Sequence, residues 1–249
     1  MADKKKIDSV IAICIQEPSE EGSSMDLGVI KGDDLKFLHQ AFITDTIVNA
    51  LDVPDAETRL YHIDLADRKR LIKIVTDYLA GKLNGKRGEA LKDRFETIEL
   101  ANKPWSERMD LVFRDCFQQG YKHVLLLGSR TPTITAKMMK TALKMLNESD
   151  AVFGPTPEGR YYSLGMSGAM QISLSDFDWK APTIYHDVAD AFAAKQLSWS
   201  ELEIWYAVEN AEYLETMARD INQFRFEGDE DTARETELVM ERILTRLEP

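Results

Sequence analysis

Residues 123–166 read HVLLLGSRTPTITAKMMKTALKMLNESDAVFGPTPEGRYYSLGM, and this stretch decides the fold. Val124, Leu125, Leu126 and Leu127 form an unbroken apolar run closed by Gly128, the pattern of a strand buried on both faces of a sheet. A helix follows, because Ile134, Met138, Ala142 and Leu146, flanked by Met139 and Leu143, recur at helical spacing. Residues 150–153 make a second short apolar strand, ended by the sharp break Gly154-Pro155. Strand, helix and strand compose a βαβ unit. In such sheets the loops leaving the carboxyl ends of the strands hold the ligand, so chemistry is expected at residues 128–132 and 154–160.

Working outward, residues 9–15 predict another buried strand on Val10, Ile11, Ile13 and Ile15. The polar segment 16–32 leaves that strand on the same rim, but its glycines lack the G-x-x-x-x-G-K-[ST] order of a phosphate loop. Asp33 and Asp34 predict the cap of a helix that runs to Val53, with a stripe of Leu38, Phe42, Thr46 and Ala50. Residues 58–65 alternate like a strand, 67–79 carry helical periodicity, and 82–87 form a basic loop that reads as a solvated connection. Residues 95–100 predict a strand, and 105–119 a helix that buries Met109, Val112, Phe113 and Cys116 and stops at Gly120. Beyond the central stretch come a strand over 161–166, a helix over 182–195 with Pro182 near its start, and an aromatic-rich strand over 199–208. The tail, 229–249, predicts a C-terminal helix whose apolar face packs on the domain or on a second subunit, which would make a homo-oligomer. Such alternation describes residues 1–249 as one three-layer α/β/α sandwich with a mostly parallel central sheet.

Composition narrows the function. Hydrophobic residues at 44% suffice for a sizeable core, and a net charge of -12 argues against nucleic acid or an anionic membrane surface as partner. Cys14 and Cys116 fall in different kinds of element, which speaks for free thiols in a reducing, cytoplasmic setting. The basic cluster near the N-terminus precedes no long apolar segment, so neither a signal peptide nor a membrane span is expected. His62 and His123 read as core or edge histidines, and no His/Cys cluster has zinc spacing.

The central stretch resembles a bacterial family of uncharacterised, glycosyltransferase-like proteins with the nucleotide-diphospho-sugar transferase fold, of the GT-A type. The family pattern runs G-S-D-S-P after one central strand and G-P-x-x-D-G-G-Y-Y-L-x-G after the next. Here Gly128-Ser129-Arg130-Thr131-Pro132 stands in the first place and the run GPTPEGRYYSLG, 154–165, in the second. The match extends to Ala41-Phe42-Ile43-Thr44-Asp45-Thr46, to Glu107-Arg108-Met109, to Trp179 and, as a weaker echo of a D-V-D-x-x-x-D-L segment, to residues 207–214. The resemblance implies a nucleotide-diphospho-sugar transferase-like fold and a nucleotide sugar or nucleotide diphosphate as ligand.

The departures bear on chemistry. The Asp of the first motif looks like the family's metal and diphosphate ligand, and hard cations need oxygen donors of that kind. Arg130 stands there, Glu158 replaces the Asp of the second motif, and Arg160 replaces its second Gly. The late segment has Ala207, Glu209 and Tyr213 at the places of its three Asp residues, and residues 22–27 lack the family's basic K-T-R-L run. No metal or other cofactor is therefore expected. If the protein is a transferase, Ser129, Arg130, Thr131, Gly159 and Arg160 would hold the diphosphate, the arginines doing a cation's work through paired phosphate contacts. Glu158 would be the catalytic carboxylate, and Tyr161, Trp179 and His186 would face the acceptor. The structural alternative for Arg130 is a salt bridge to Glu158 or another rim carboxylate. A second reading is a degenerate member kept as a binding or scaffolding module. The third is a nucleotidyltransferase, against which stands the missing basic first loop.

Overall fold

The computed structural model describes residues 7–19, 24–63, 73 and 93–247. Seven strands form one sheet: β1 (Ser9–Cys14), β2 (Ala56–His62), β3 (Phe95–Glu99), β4 (His123–Leu127), β5 (Ala151–Pro155), β6 (Tyr161–Ser167) and β7 (Trp199–Glu201). Their order is β3-β2-β1-β4-β6-β5-β7, and every neighbouring pair is parallel except the two that involve β6. The expected mostly parallel sheet is thus present, with one refinement to its centre. β4 and β5 are joined by a helix as predicted, but β6 turns back at residues 156–160 and inserts between them as an antiparallel strand.

Helices cover both faces. α1 (Gly32–Leu51) and α3 (Ala136–Met145) pack on one side, where Ile43, Ile47, Met139 and Leu143 meet Ile11, Ile13, Leu125 and Leu127. On the other side α2 (Trp105–Gln118) and α4 (Ile184–Ala194) bring Val112, Phe113, Val188 and Phe192 against Val10, Ala12, Val124 and Leu126. Alternate residues of each strand face opposite clusters, as the unbroken apolar runs require. α5 (Ala211–Phe226) and α6 (Arg234–Leu247) add a third cluster on the outer side of α1, with Phe42, Met217, Ile221 and Ile243. The described part of α6 therefore packs on its own domain through Val239, Met240 and Ile243.

α1 differs from its sequence pattern. The polar positions Thr44, Asp45 and Asn49 are buried together with the expected stripe, the first two beside α6 and Asn49 against the segment that leads from β4 into α3. Each is paired: the Thr44 hydroxyl donates to the Gln40 carbonyl, Asn49 Nδ2 to the Ile134 carbonyl, and Asp45 accepts the backbone N–H groups of Glu235 and Thr236. The helix starts at Gly32, and Asp33 and Asp34 lie in its first turn without a capping hydrogen bond from the preceding side chain. α2 does end at Gly120, whose φ of 89° is the left-handed conformation glycine allows.

The strand expected over 199–208 is shorter than predicted. After Glu201 the chain runs across the carboxyl end of the sheet on isolated bonds, from Leu202 N–H to the Phe153 carbonyl, Trp205 N–H to Pro155 and Val208 N–H to Arg130. No helix among the described residues is long and apolar enough to cross a membrane. The elements expected over 67–79 and 82–87 lie outside the described residues, apart from Lys73, which falls on a helical position.

Candidate functional site

A cleft of about 790 Å³ opens at the carboxyl ends of the strands. Gln16 after β1, Ile63 after β2 and Gly128, Ser129, Arg130 and Thr131 after β4 form its base. Its walls come from the segment joining β3 to α2, from the start of β6, from the loop before α4, and from Ala207 and Glu209 ahead of α5.

Arg130 is the most constrained residue here. Its side chain is only 3% exposed; Nη1 lies 3.3 Å from Glu209 Oε1, and Nη2 donates to the Glu17 carbonyl at 2.9 Å. The loop that carries it is pinned from beneath. Gln16 N–H donates to Ser129 Oγ at 3.0 Å, and His39 Nε2 lies 3.0 Å from the same oxygen. Burial, together with the charge of Arg130, lowers the His39 pKa to about 3, so the imidazole is neutral and adds no charge below the cleft. Ser129 and Thr131 are both buried at the cleft base.

Arg160 is the counterpart on the opposite wall. Its side chain is 47% exposed and its Nη1 lies 3.7 Å from Glu209 Oε2, so one carboxylate is shared between a buried and an open guanidinium. The turn that delivers Arg160 depends on Gly159 at φ 70°, with hydrogen bonds from Gly159 N–H to the Thr156 carbonyl and from Thr156 N–H back to Arg160. Glu158, on the same turn, is exposed outside the cleft lining and accepts a hydrogen bond from Tyr213 Oη.

An aromatic wall completes the cleft. Tyr161 and Trp179 line it with ring centroids 5.9 Å apart, and Trp179 Nε1 is fixed by the Leu174 carbonyl at 2.7 Å. Tyr161 also stacks on Tyr185 and donates to its carbonyl. Successive side chains of β6 point to opposite faces, so Tyr162 packs into the α1 side of the core and Tyr161 into the other. His186 is exposed on α4, edge-on to Tyr185, and is not among the residues that line the cleft.

The fold thus brings Ser129, Arg130, Thr131, Arg160, Tyr161 and Trp179 together around one cleft. Gly159 shapes its wall, while Glu158 and His186 stand outside. Sequence reasoning passed over Lys103, Trp105, Asp178 and Lys180, which line the same cleft from loops without a motif. One signal was available for all four, namely their position in segments flanking the recognised Glu107-Arg108-Met109 and Trp179. Among the described residues no group of three or more His, Cys, Asp or Glu side chains is placed to hold a metal ion.

A family model described as "Uncharacterized protein conserved in bacteria" (DUF2064) matches residues 67–181, the part of the chain that contains both loop motifs. No curated protein matches the chain. Among solved structures, a protein from Desulfovibrio desulfuricans G20 assigned as a nucleotide-diphospho-sugar transferase superposes with a TM-score of 0.67 at 20% identity, over 95% of this chain and 98% of that one. A nucleotidyl transferase from Methanothermobacter thermautotroptrophicus superposes with a TM-score of 0.50 at 12% identity, over 86% of this chain and 99% of that one. The chain therefore has the nucleotide-diphospho-sugar transferase-like fold that its motifs resemble.

Proposed function

We propose that the chain binds a nucleotide sugar in this cleft and transfers the sugar while holding the diphosphate without a divalent cation. One observation carries the reading: a guanidinium, buried and paired with Glu209, occupies the position where the resembled family has a metal-ligating Asp. These residues do not fit a hard cation, which needs several oxygen donors and would be repelled by Arg130. The positive charge at the cleft base is instead tethered to the chain.

The other groups have roles that follow from their placement. Arg160, half-exposed in the cleft, offers paired N–H donors to a phosphate, and Arg130 supports it electrostatically from beneath. The faces of Trp105, Tyr161 and Trp179 suit a base or sugar ring. Catalysis of this kind is positioning plus stabilisation of the departing diphosphate, work that preorganised cations perform. Asp178, one of two carboxylates among the described cleft residues, takes the acceptor-orienting role expected of Glu158.

Isothermal titration with UDP-, GDP-, dTDP-, ADP- and CDP-sugars, each with Mg²⁺, with Mn²⁺ and with chelator, tests this. The expected result is binding of one donor series with equal affinity in all three conditions. Strict dependence on metal would overturn the proposal. A second reading, that of a binding module without turnover, is favoured by the Tyr213–Glu158 hydrogen bond, which holds that carboxylate outside the cleft. Donor binding without hydrolysis or transfer to any acceptor would select it.

A further inference from the structure

The cleft sits in a strongly acidic chain, yet its own balance is positive. Among the described residues that line it, Lys103, Arg130, Arg160 and Lys180 are cationic and only Asp178 and Glu209 are anionic, an excess of two positive charges. His39 below Ser129 is neutral and does not alter that balance. Lys103 lies 3.3 Å from Glu107, but both side chains are about half exposed and such a pair is strongly screened.

Glu209 is the residue that sets the excess. It spans the two arginines, 3.3 Å from one and 3.7 Å from the other, at the point where the buried and open walls of the cleft meet. Its carboxylate already supplies one anionic partner to the pair. A phosphate arriving at Arg160 must share the guanidinium with it. A phosphodiester group carries one negative charge, whereas a terminal phosphate gains a second as it ionises with a pKa of about 6. A nucleotide sugar, with two phosphodiester-like phosphates, bears the two charges that the cleft can neutralise. A nucleoside diphosphate or triphosphate brings more charge than the cleft offers when no metal is present.

We infer that Glu209 is a charge filter. By bridging Arg130 and Arg160 it makes the metal-free cleft select pyrophosphate diesters over nucleotides that end in a free phosphate. The inference rests on the nucleotide reading above and adds a specificity determinant to it. It also gives the product a way out, since loss of the sugar leaves a diphosphate with one charge too many for the site.

The test compares UDP-glucose with UDP, and the matching guanosine, thymidine, adenosine and cytidine pairs, in chelator at pH 8. Wild-type protein should bind the diester of its preferred pair about tenfold more tightly than the diphosphate, a factor that corresponds to about 1.4 kcal/mol. Glu209→Gln, which keeps an oxygen for Arg130 to donate to, should erase or invert that ratio. Combining it with Lys180→Gln brings the excess back to two charges and should restore the preference for the diester, a reversal that a merely structural role for Glu209 would not produce. Equal ratios in wild type and Glu209→Gln would overturn the filter alone. Failure of every pair to bind either protein would overturn the nucleotide reading beneath it.

Discussion

Replacing Arg130 by Asp inverts the charge at the cleft base and tests the reasoning about it directly. Breaking a buried ion pair by removing one partner costs about 3–5 kcal/mol, but here Glu209 is 34% exposed and solvent takes up part of the loss, so about 2–3 kcal/mol is expected. The hydrogen bond to the Glu17 carbonyl is lost as well, worth about 1 kcal/mol. Together these give about 3–4 kcal/mol, and at about 2–4 °C per kcal/mol for a domain of this size the Tm should fall by roughly 10 °C in chelator. The introduced carboxyl, buried beside Glu209, should favour its protonated form, so the deficit should shrink as pH is lowered. The variant also recreates a pair of oxygen ligands. Millimolar Mn²⁺ should then raise its Tm, by about 2.7 kcal/mol of stability if the ion is present at a hundred times its Kd, and leave the wild type unmoved. Metal-free diphosphate binding should weaken in the same variant. Thermal denaturation followed by circular dichroism, with chelator and with Mn²⁺, reads all but the last of these. A Tm within about 1 °C of wild type in chelator, a shift far below the loss worked out above, would refute the account of Arg130 as a structural and electrostatic cornerstone. An equal response of both proteins to Mn²⁺ would refute the claim that the guanidinium stands in the cation's place.

Three further perturbations probe other parts of the structure. Burial pushes the Asp45 carboxyl up to about 7 against the opposing pull of the Glu235 and Thr236 N–H groups, so the folded state holds a proton that the unfolded chain has released between about pH 4 and pH 7. Stability should therefore decline with rising pH across that window by more in wild type than in Asp45→Asn; parallel urea-midpoint curves for the two proteins would contradict it. Gly154→Ala would drive a Cβ into Ser163 Oγ and the Tyr162 ring at the cleft wall, and overpacking of about 1–3 kcal/mol should lower the Tm by several degrees; an unchanged melting curve would show that β5 yields there. Glu158→Gln should leave donor affinity within about twofold, because that side chain bonds Tyr213 outside the cleft, whereas Asp178→Asn should lower turnover without weakening donor binding; the opposite pattern in calorimetry and product assays would return the catalytic role to Glu158.

The two kinds of information in the chain were unequally readable. Unbroken apolar runs such as Val124 to Leu127 report burial on both faces of a sheet, and Gly120 and Gly159 report backbone that turns where side chains resist it, so the layers and both loop motifs were legible. Long-range pairing of polar groups leaves no such trace. Thr44, Asp45 and Asn49 look like a wet helix face until α6, some 190 residues later, brings two N–H donors to Asp45, and the Ile134 carbonyl takes up Asn49. Glu209 looked like a remnant of a lost motif, yet its partner is Arg130, 79 residues away. Periodicity also could not show that the 199–208 run leaves the sheet after Glu201, since Tyr206 and Val208 are buried with residues of α1 and α5 rather than in a ladder.

Arg130 and Glu209 are best understood as one unit. An arginine left in an abandoned cleft would be free to turn outward into solvent. Arg130 is instead buried and paired with Glu209, and that glutamate also reaches Arg160. Meanwhile the cleft keeps about 790 Å³ of space, an aromatic wall anchored by the Trp179–Leu174 hydrogen bond, and lysines on its rim. A site losing its function has no physical reason to hold open apolar surface that collapse would bury at a gain of about 25 cal/mol per Å². These features support the proposal that the chain carries its own cation at this site, with Glu209 determining how much of its charge a ligand can use.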